Sequence, residues 1–314
     1  MHSSSPPSES TQLPAGVQVF QRSWLSSNNI LLSSGDHAAL IDSGYCSHSA
    51  QTVALVQAAL AGQTLDQLLI THLHSDHCGG NAALQAAYPT LHTLIPPGLA
   101  SAVREWSSAE LTFEATGQSC PPFRYDALLL PGTELNLGGR TWQVHAAPGH
   151  DPHSVVLFEP HARLLISADA LWENGFGVVF PELEGVDAFD SVGATLDLIA
   201  SLKPLTVIPG HGSPFFDLER ALQTARARLD YFQRNPQRHR NYAAKVLLKF
   251  KLLELQRTSV EALTRWAAST PYVAHMGGTF FDDTPLETVV GDWIAQLVSA
   301  GAAAIDGDVL YNQD

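Results

Sequence analysis

The sequence has few cysteines, no long apolar run and few basic residues. Only three cysteines, Cys46, Cys78 and Cys120, occur in 314 residues, and none belongs to a C-x-x-C pair. This argues against a disulfide framework and against a thiolate zinc knuckle. No apolar run approaches the ~20 residues that a membrane-spanning helix requires, so we expect no membrane segment. Hydrophobic residues make up 45% of the chain and charged residues 15%, which favours a globular protein with a buried core.

The motifs of three large enzyme classes are also missing. The sequence has no G-x-S-x-G elbow for a serine nucleophile, no G-x-x-x-x-G-K-[ST] phosphate loop and no G-x-G-x-x-G dinucleotide fingerprint. Residues 1–14 are rich in Ser and Pro but lack the basic and apolar regions of a secretory signal. We therefore expect a disordered leader and a cytoplasmic location.

The few basic residues are unevenly placed. The chain has 17 Lys and Arg against 31 Asp and Glu, which gives a net charge of -14. Between Glu219 and Arg265, however, 11 basic residues stand against four acidic ones. A body this acidic repels a nucleic-acid backbone, so any polyanion would have to bind through the basic stretch 219–265. A solvated helix face or a subunit contact, as in a homodimer, is the other interpretation of this stretch.

Short apolar runs alternate with helical stretches in the first two thirds of the chain. Runs such as LLITH at 68–72 and RLLISAD at 163–169 are rich in Leu and Ile and end in polar residues. This pattern predicts buried strands of an α/β fold whose site lies at the carboxyl ends of the strands. Later the apolar spacing becomes helical, and a hairpin with an Asp-Gly turn is predicted at the end of the chain. The predicted helices span 49–61, 80–87, 97–105, 187–201, 216–234, 240–256, 259–268 and 285–300.

The strongest local signal is the segment THLHSDHCGGN at 71–81. His72, His74, Asp76 and His77 place four possible metal ligands within six residues, directly after an apolar run. In an extended segment the first two imidazoles project to one side, and a turn then brings the next two side chains towards a second position. Imidazole nitrogens and carboxylate oxygens suit Zn²⁺ or a similar divalent ion. The segment therefore predicts a metal site.

Three further donors follow apolar runs downstream. They are His150 in APGHDPHS, Asp169 in ISADAL and His211 in IPGHGSP. Each follows a predicted strand, which is where α/β folds place their functional groups. With the first cluster they complete a set of seven possible ligands.

These motifs resemble those of a known family. THLHSDH, PGH, SAD and PGHG, in this order and with these separations, resemble the metallo-β-lactamase superfamily over about residues 17–215. The resemblance implies an αββα sandwich in residues 15–215 and a metal-dependent hydrolase. The tail from about residue 239 to 314 resembles the small winged-helix-like module that some members carry, so we expect a separate helical module at 216–314.

The resemblance also implies a role for each donor. One metal ion would be held by three imidazoles, those of His72, His74 and His150. The other would be held by Asp76, His77 and His211. Asp169 would bridge the two ions, and Asp42, in LIDSGY, would support the metal-binding loop from behind.

This ligand set resembles that of glyoxalase-II-type members of the family. Many true zinc β-lactamases offer a Cys to the second ion, where this chain has Asp169. We expect two Zn²⁺ ions, with Fe or Mn as alternatives, because mixed imidazole and carboxylate ligands also accept these metals. The family often reads PGHTPGH where this chain reads PGHDPHS, so His153 stands where a Gly is common. We interpret His153 as a pocket-edge or structural residue.

The implied chemistry is hydrolysis. Two cations that share a water lower its pKa from about 15.7 towards about 7 and polarise the attacked oxygen, so no protein nucleophile is needed. Asp76 is the candidate catalytic residue, because it would orient this water or relay its proton. The expected substrate is a small acyl compound, namely a thioester, ester or lactone.

The segment after Asp169 is unusually aromatic. It reads LWENGFGVVFPELEG and contains Trp172, Phe176 and Phe180. Two interpretations remain open for these rings, which would form either an apolar wall of the substrate pocket or core packing beside the 187–201 helix.

Two other functions also remain open. The first is an endoribonuclease or phosphodiesterase of the same fold, which the basic stretch 219–265 favours and the acidic body disfavours. The second is a metal-bearing regulatory protein that acts through a partner, because one fold hosts many functions.

Overall fold

The first half of the chain forms a six-stranded sheet with helices on its outer face. The computed structural model describes residues 13–280 and 284–313, so most of the predicted leader lies outside the described residues. The strands lie in chain order and are β1 (Val17–Phe20), β2 (Asn29–Ser34), β3 (His37–Ile41), β4 (Gln67–Leu69), β5 (His92–Ile95) and β6 (Ala127–Leu128). The first three are antiparallel, whereas β3 to β6 are parallel. The intervening helices are α1 (Ser49–Leu60), α2 (Ser75–Cys78), α3 (Asn81–Ala87), α4 (Ala100–Glu105) and α5 (Ser108–Leu111).

A second sheet of five strands follows. Its strands are β7 (Glu134–Leu137), β8 (Arg140–Ala146), β9 (Val155–Glu159), β10 (Leu164–Ala168) and β11 (Thr206–Pro209), in the order β11-β10-β9-β8-β7. Only the pairing of β10 with β11 is parallel among the described strands of this sheet. Helices α6 (Phe180–Leu183) and α7 (Phe189–Leu202) lie in the long connection between these two strands.

The two sheets pack face to face, and helices cover both outer faces. Ile41 and Leu69 of the first sheet share one buried cluster with Trp142 and Ile166 of the second. A separate cluster joins α1 and α3 to the outer face of the first sheet, and a third joins α7 to the outer face of the second. Central strands such as β9 and β10 bury residues on both faces because they have a sheet on one side and helices on the other. The predicted αββα layering is confirmed.

The last third of the chain is mainly helical and ends in a small sheet. Its elements are α8 (Leu218–Arg234), α9 (Pro236–Leu255), β12 (Arg257–Ser259), α10 (Val260–Ser269), α11 (Pro271–Phe280), α12 (Leu286–Ser299), β13 (Ala303–Asp306) and β14 (Val309–Asn312). The three strands pair in the order β12-β14-β13. The predicted Asp-Gly turn is confirmed, with Gly307 in the left-handed region at φ +61. The winged-helix character of this module and a domain boundary at residue 215 stay predictions.

Helix α9 joins the helical module to segments that follow strands of both sheets. Val178 and Leu183 share a buried cluster with Leu247 and Leu248 of α9. At the carboxyl end of α9, the Tyr45 hydroxyl donates a hydrogen bond to Glu254 Oε1 at 3.1 Å. The helical module therefore packs directly on the segment that follows β10. Among the described helices, none combines the length and apolar character needed to cross a bilayer.

Candidate metal centre

The loops at the carboxyl ends of four strands bring the seven predicted ligands together. The donor atoms fall into two groups, and within each group they lie within 4.8 Å of one another. The first group contains His72, His74 and His150. The second contains Asp76, His77, Asp169 and His211. The segment after β4 supplies four of these side chains because it leaves the strand extended and then turns into the short helix α2.

Three imidazole nitrogens of the first group face one another. His150 Nε2 lies 2.8 Å from His74 Nδ1 and 3.2 Å from His72 Nε2. Ligands of a tetrahedral ion with Zn–N bonds of about 2 Å stand roughly 3.3 Å apart, so this spacing suits one shared cation. His72 and His150 are buried, whereas His74 is half-buried and borders a cavity.

The second group mixes imidazoles and carboxylates. Asp76 Oδ2 lies 3.0 Å from His211 Nε2 and 3.9 Å from His77 Nε2. Asp169 Oδ1 lies 3.4 Å from His77 Nε2, and Asp169 Oδ2 lies 3.9 Å from His211 Nε2. Asp169 Oδ2 also lies 3.5 Å from His150 Nε2 of the first group. This carboxylate therefore stands between the two groups.

Asp42 lies behind the loop that carries His72, His74, Asp76 and His77. Its Oδ2 is 2.7 Å from His77 Nδ1, and its two carboxylate oxygens accept hydrogen bonds from the backbone N–H and the hydroxyl of Thr71, each at 2.8 Å. Asp42 itself has left-handed backbone geometry, with φ +58, at the end of β3. The Asp42 carboxylate holds the His77 ring so that the other ring nitrogen, Nε2, points at the cluster.

The segment after Asp169 fixes His150 in a similar way. Val178 O lies 2.5 Å from His150 Nδ1, which turns Nε2 towards the other imidazoles. Gly177 makes this approach possible, because a Cβ at this position would lie 2.4 Å from His150 Nδ1. The next residue, Val179, donates its backbone N–H to His239 Nε2 of α9 at 3.1 Å. One residue of the helical module thus holds the segment that orients a candidate ligand.

The electrostatics of the cluster favour bound cations. Burial and the neighbouring imidazole charges lower the pKa of His72, and burial lowers that of His150 to about 4, so both present lone pairs. Burial also opposes a charge on His77, but the carboxylates of Asp42, Asp169 and Asp76 outweigh it and raise the pKa of that imidazole well above its usual value. Carboxylates that favour a proton at this position favour a metal cation there as well.

One atom gives an independent test of whether a metal fits. His77 Nε2 is fully buried and makes no hydrogen bond, although it points into the second group. A buried imidazole nitrogen without a partner is unfavourable, and a cation among Asp76, Asp169 and His211 would satisfy it. The donor set consists of nitrogens and hard oxygens, which suits Zn²⁺, Fe or Mn. The residues present therefore fit a dinuclear site.

A cavity of about 330 Å³ opens over the cluster, and three of the four predicted pocket residues line it. They are Trp172, Phe180 and His153. Phe180 contacts the rings of His74 and His150, with centroids 4.9 and 5.8 Å away. Trp172 donates its indole N–H to Asp169 Oδ1 at 3.2 Å. His153 is exposed at the mouth, where its ring lies against Gly98.

Phe176 is the exception, because it does not line the cavity and follows the second of the two interpretations left open for these rings. Its side chain is 1% exposed, lines neither this cavity nor a neighbouring one, and packs against Phe232 of α8. Gly175 and Gly177 flank Phe176, whose ring lies in the buried cluster between the second sheet and helices α7 and α8. The rings of Trp172 and Phe180 face the cavity instead. The core-packing interpretation holds for this aromatic ring.

Two further residues at the site were missed by the sequence reasoning. Trp24 stacks on His211, with centroids 5.2 Å apart and an interplanar angle of 9°, and it makes an edge contact with Trp172 at 5.3 Å. Trp24 stands in a polar loop between two strands, where a tryptophan is an unusual residue and was the one available signal. His239 is the second missed residue. A single histidine in a basic helix is typical of a surface position, so nothing in the sequence indicated its contact with Val179.

Known proteins share this architecture. A family profile described as "Metallo-beta-lactamase superfamily" matches residues 22–211. Hydroxyacylglutathione hydrolase of Dechloromonas aromatica (strain RCB) is 33% identical over 178 residues, which are 57% of this chain and 54% of that enzyme. The same-named protein of Acidiphilium cryptum (strain JF-5) is 30% identical over 57% of this chain and 60% of its own. The chain thus spans little more than half the length of these relatives.

Solved structures agree on the fold. A metallo-beta-lactamase family protein of Thermus thermophilus matches 96% of this chain and 100% of its own, with TM-score 0.58 and 20% identity. The protein TTHA1623, solved in a di-iron-bound form, matches 67% of this chain and 98% of its own, with TM-score 0.54 and 28% identity. The profile covers more than half of the chain and includes every residue of the cluster. The chain therefore belongs to the metallo-beta-lactamase superfamily.

Proposed function

We propose that this protein is a dinuclear metal-dependent hydrolase that cleaves a thioester or a related ester or lactone. The observation that carries the proposal is the convergence of seven donors in two groups with Asp169 between them. His72, His74 and His150 would hold one ion. Asp76, His77 and His211 would hold the other, and Asp169 would bridge them.

The relatives support the thioester class. Two of them are named hydroxyacylglutathione hydrolase, and a hydroxyacylglutathione is a thioester. Zn²⁺ is the proposed metal, and the di-iron form of TTHA1623 supports iron as the alternative. When bound, the two cations would supply a water that is acidic enough to ionise near neutral pH and would stabilise negative charge on the acyl oxygen.

The protein's own residues would orient the reactants. Asp76 borders the cavity with a carboxylate oxygen 3.0 Å from His211 Nε2, so it is placed to hold the attacking water and take its proton. Trp172 holds Asp169 in place through its indole N–H. Phe180 covers the first group and limits the access of other water. The water oxygen bonds to the acyl carbon, the carbon–sulfur bond breaks, and the proton taken from the water passes to the sulfur, so the products are a carboxylic acid and a thiol.

A substrate panel tests the proposal. Purified protein is assayed with acyl thioesters, esters and lactones before chelation, after chelation, and after Zn²⁺ or Fe²⁺ is returned. We expect thioester turnover that chelation abolishes and the metal restores. His74→Ala should lose both metal and turnover while its circular dichroism is unchanged, and His161→Ala, at an exposed histidine away from the cluster, serves as the matched control. Full turnover by a metal-free protein would refute the assignment.

A further inference from the structure

A second cavity adjoins the one over the metal centre. We call the first cavity, lined by His74, Asp76 and Phe180, the inner chamber, and the second, of about 520 Å³ and lined by Lys245 and Leu297, the outer chamber. Six residues line both, so the two spaces lie side by side. The shared residues are Trp24, Trp172, His211, Tyr242, Val246 and Phe250.

The wall between the chambers touches the metal centre. Trp24 stacks on His211 and contacts Trp172, and Trp172 in turn hydrogen-bonds to Asp169. Trp24 is 55% exposed, so its ring offers an open aromatic surface beside the cluster. A substrate whose reacting carbonyl lies at the cluster would thus extend past these two rings in one direction and into the inner chamber in the other.

The two chambers carry charge of opposite sign. Apart from the candidate ligands, the inner chamber is lined by the carboxylates of Glu110, Asp151 and Glu184 and by no Lys or Arg, as far as the described residues show. The outer chamber is lined by three basic side chains and one acidic residue, Glu173. The basic residues are Arg228, Lys245 and Lys249. In a chain with a net charge of -14, this concentration of cations beside a candidate active site favours an anion.

The three cations differ in how they are held. Lys249 Nζ donates hydrogen bonds to Ala302 O, Asn312 Oδ1 and Gln313 O, so it binds residues within the helical module. Arg228 lies over the Tyr242 ring, with its guanidinium carbon 4.4 Å from the centroid. Lys245 Nζ donates one hydrogen bond, to Gln296 at 3.1 Å. An ammonium has three donors, so Lys245 is the residue best placed to bind an anion in the chamber.

We propose that the outer chamber binds the leaving group of the substrate, and that this leaving group is an elongated thiol with a carboxylate or phosphate at its far end. The inner chamber then takes an uncharged acyl group. This assignment rests on the proposed function. Arg228 and Lys245 lie outside residues 22–211, so the basic part of the subsite comes from the helical module and not from the stretch matched by the family profile.

Matched leaving groups test the assignment. The same acyl group is attached to pantetheine and to 4′-phosphopantetheine, which differ by one phosphate, and to glutathione and its dimethyl ester, which differ by their carboxylates. We expect kcat/KM to be about tenfold higher for the anionic member of at least one pair, and the advantage to shrink as salt is added. The pair that shows the effect tells whether phosphate or carboxylate is bound. A negative charge on the acyl group, as in a succinyl thioester, should lower kcat/KM because carboxylates line the inner chamber.

Variants and a binding measurement complete the test. Lys245→Glu should abolish the preference for the anionic member, whereas Arg234→Glu, an equal charge change at an exposed position of α8, should not. The free thiols are also titrated without turnover, with intrinsic tryptophan fluorescence as the signal because Trp24 and Trp172 line both chambers. The anionic thiol should bind about tenfold more tightly than its neutral counterpart. Lys245→Met removes the charge without reversing it. Together with melting curves of each variant, it shows whether a lost preference for the anionic member is caused by misfolding.

The outcomes separate this proposal from the proposed function. Hydrolysis of charged and neutral members at equal rates, with equal binding of the free thiols, would overturn the outer-chamber assignment and leave the hydrolase intact. No hydrolysis of any thioester, with selective binding of the anionic thiols, would overturn the hydrolase instead. Salt-sensitive binding of single-stranded RNA that Lys245→Glu abolishes, without any preference among thiols, would replace the anionic thiol by a polynucleotide.

Discussion

His239 should couple the stability of the fold to pH. Its ring is 1% exposed, lies against Phe189 and Phe232, and accepts the Val179 N–H at 3.1 Å. Burial, with the nearby charges of Arg228 and Arg240, lowers the pKa of this imidazole from 6.5 to about 4. The folded protein therefore holds His239 neutral, whereas the unfolded chain takes up a proton below about pH 6.5.

The sign and size of the effect follow from these two values. Because the pKa is lower in the folded state, the contribution of His239 is complete above pH 6.5 and is lost as the pH falls towards about 4. The full loss is about 3 kcal/mol of unfolding free energy, of which about 1 kcal/mol is lost between about pH 7.5 and about pH 5.5. His239→Gln keeps a hydrogen-bond acceptor but cannot titrate, so it should lack this part of the pH dependence.

Urea unfolding of both proteins at the two pH values measures the effect. We expect the wild type to be more stable than His239→Gln at the higher pH, and the difference to shrink by about 1 kcal/mol at the lower pH. His239→Ala, which leaves the Val179 N–H without its acceptor, should cost about 1–3 kcal/mol at the higher pH and about 1 kcal/mol less at the lower pH, because alanine cannot titrate either. His161→Gln, at an exposed histidine, is the control. An unchanged difference between wild type and His239→Gln would refute the reasoning.

Three further substitutions probe the cluster itself. Asp42→Asn should weaken metal binding about 10- to 100-fold in a competitive chelator titration, and wild-type affinity would contradict its supporting role. Asp169→Asn should lower turnover by orders of magnitude, and unchanged turnover would favour a mononuclear site. Gly177→Ala should displace His150 and lower both melting temperature and metal content, whereas Gly193→Ala, where the nearest atom lies 3.7 Å from the new Cβ, should do neither.

The ligand cluster was predictable because its signal is local. Four donors lie within six residues after an apolar run, and the other three each follow a strand. Strand ends converge at the edge of a sheet, so the position of these donors along the chain already implies their proximity. The αββα layering follows from the same alternation of buried strands and helices.

The missed features depend on contacts between distant segments. Helix α11 contains two adjacent glycines, which disfavour a helix, yet Val273 and Met276 bury it against α9 and α12. The contact of Trp24 with His211 joins residues that lie far apart in the sequence. Whether Phe176 points into the cavity or the core depends on backbone angles at the two neighbouring glycines, one of which has φ +124. Composition and periodicity carry no information on such choices.

The metal content of the purified protein tests the central claim most directly. Elemental analysis after dialysis against Zn²⁺ or Fe²⁺ should find about two divalent ions per chain in the wild type and about one in His211→Ala, which removes a donor from the second group alone. A wild-type chain that retains no ion under these conditions, with its fold intact, would contradict the account.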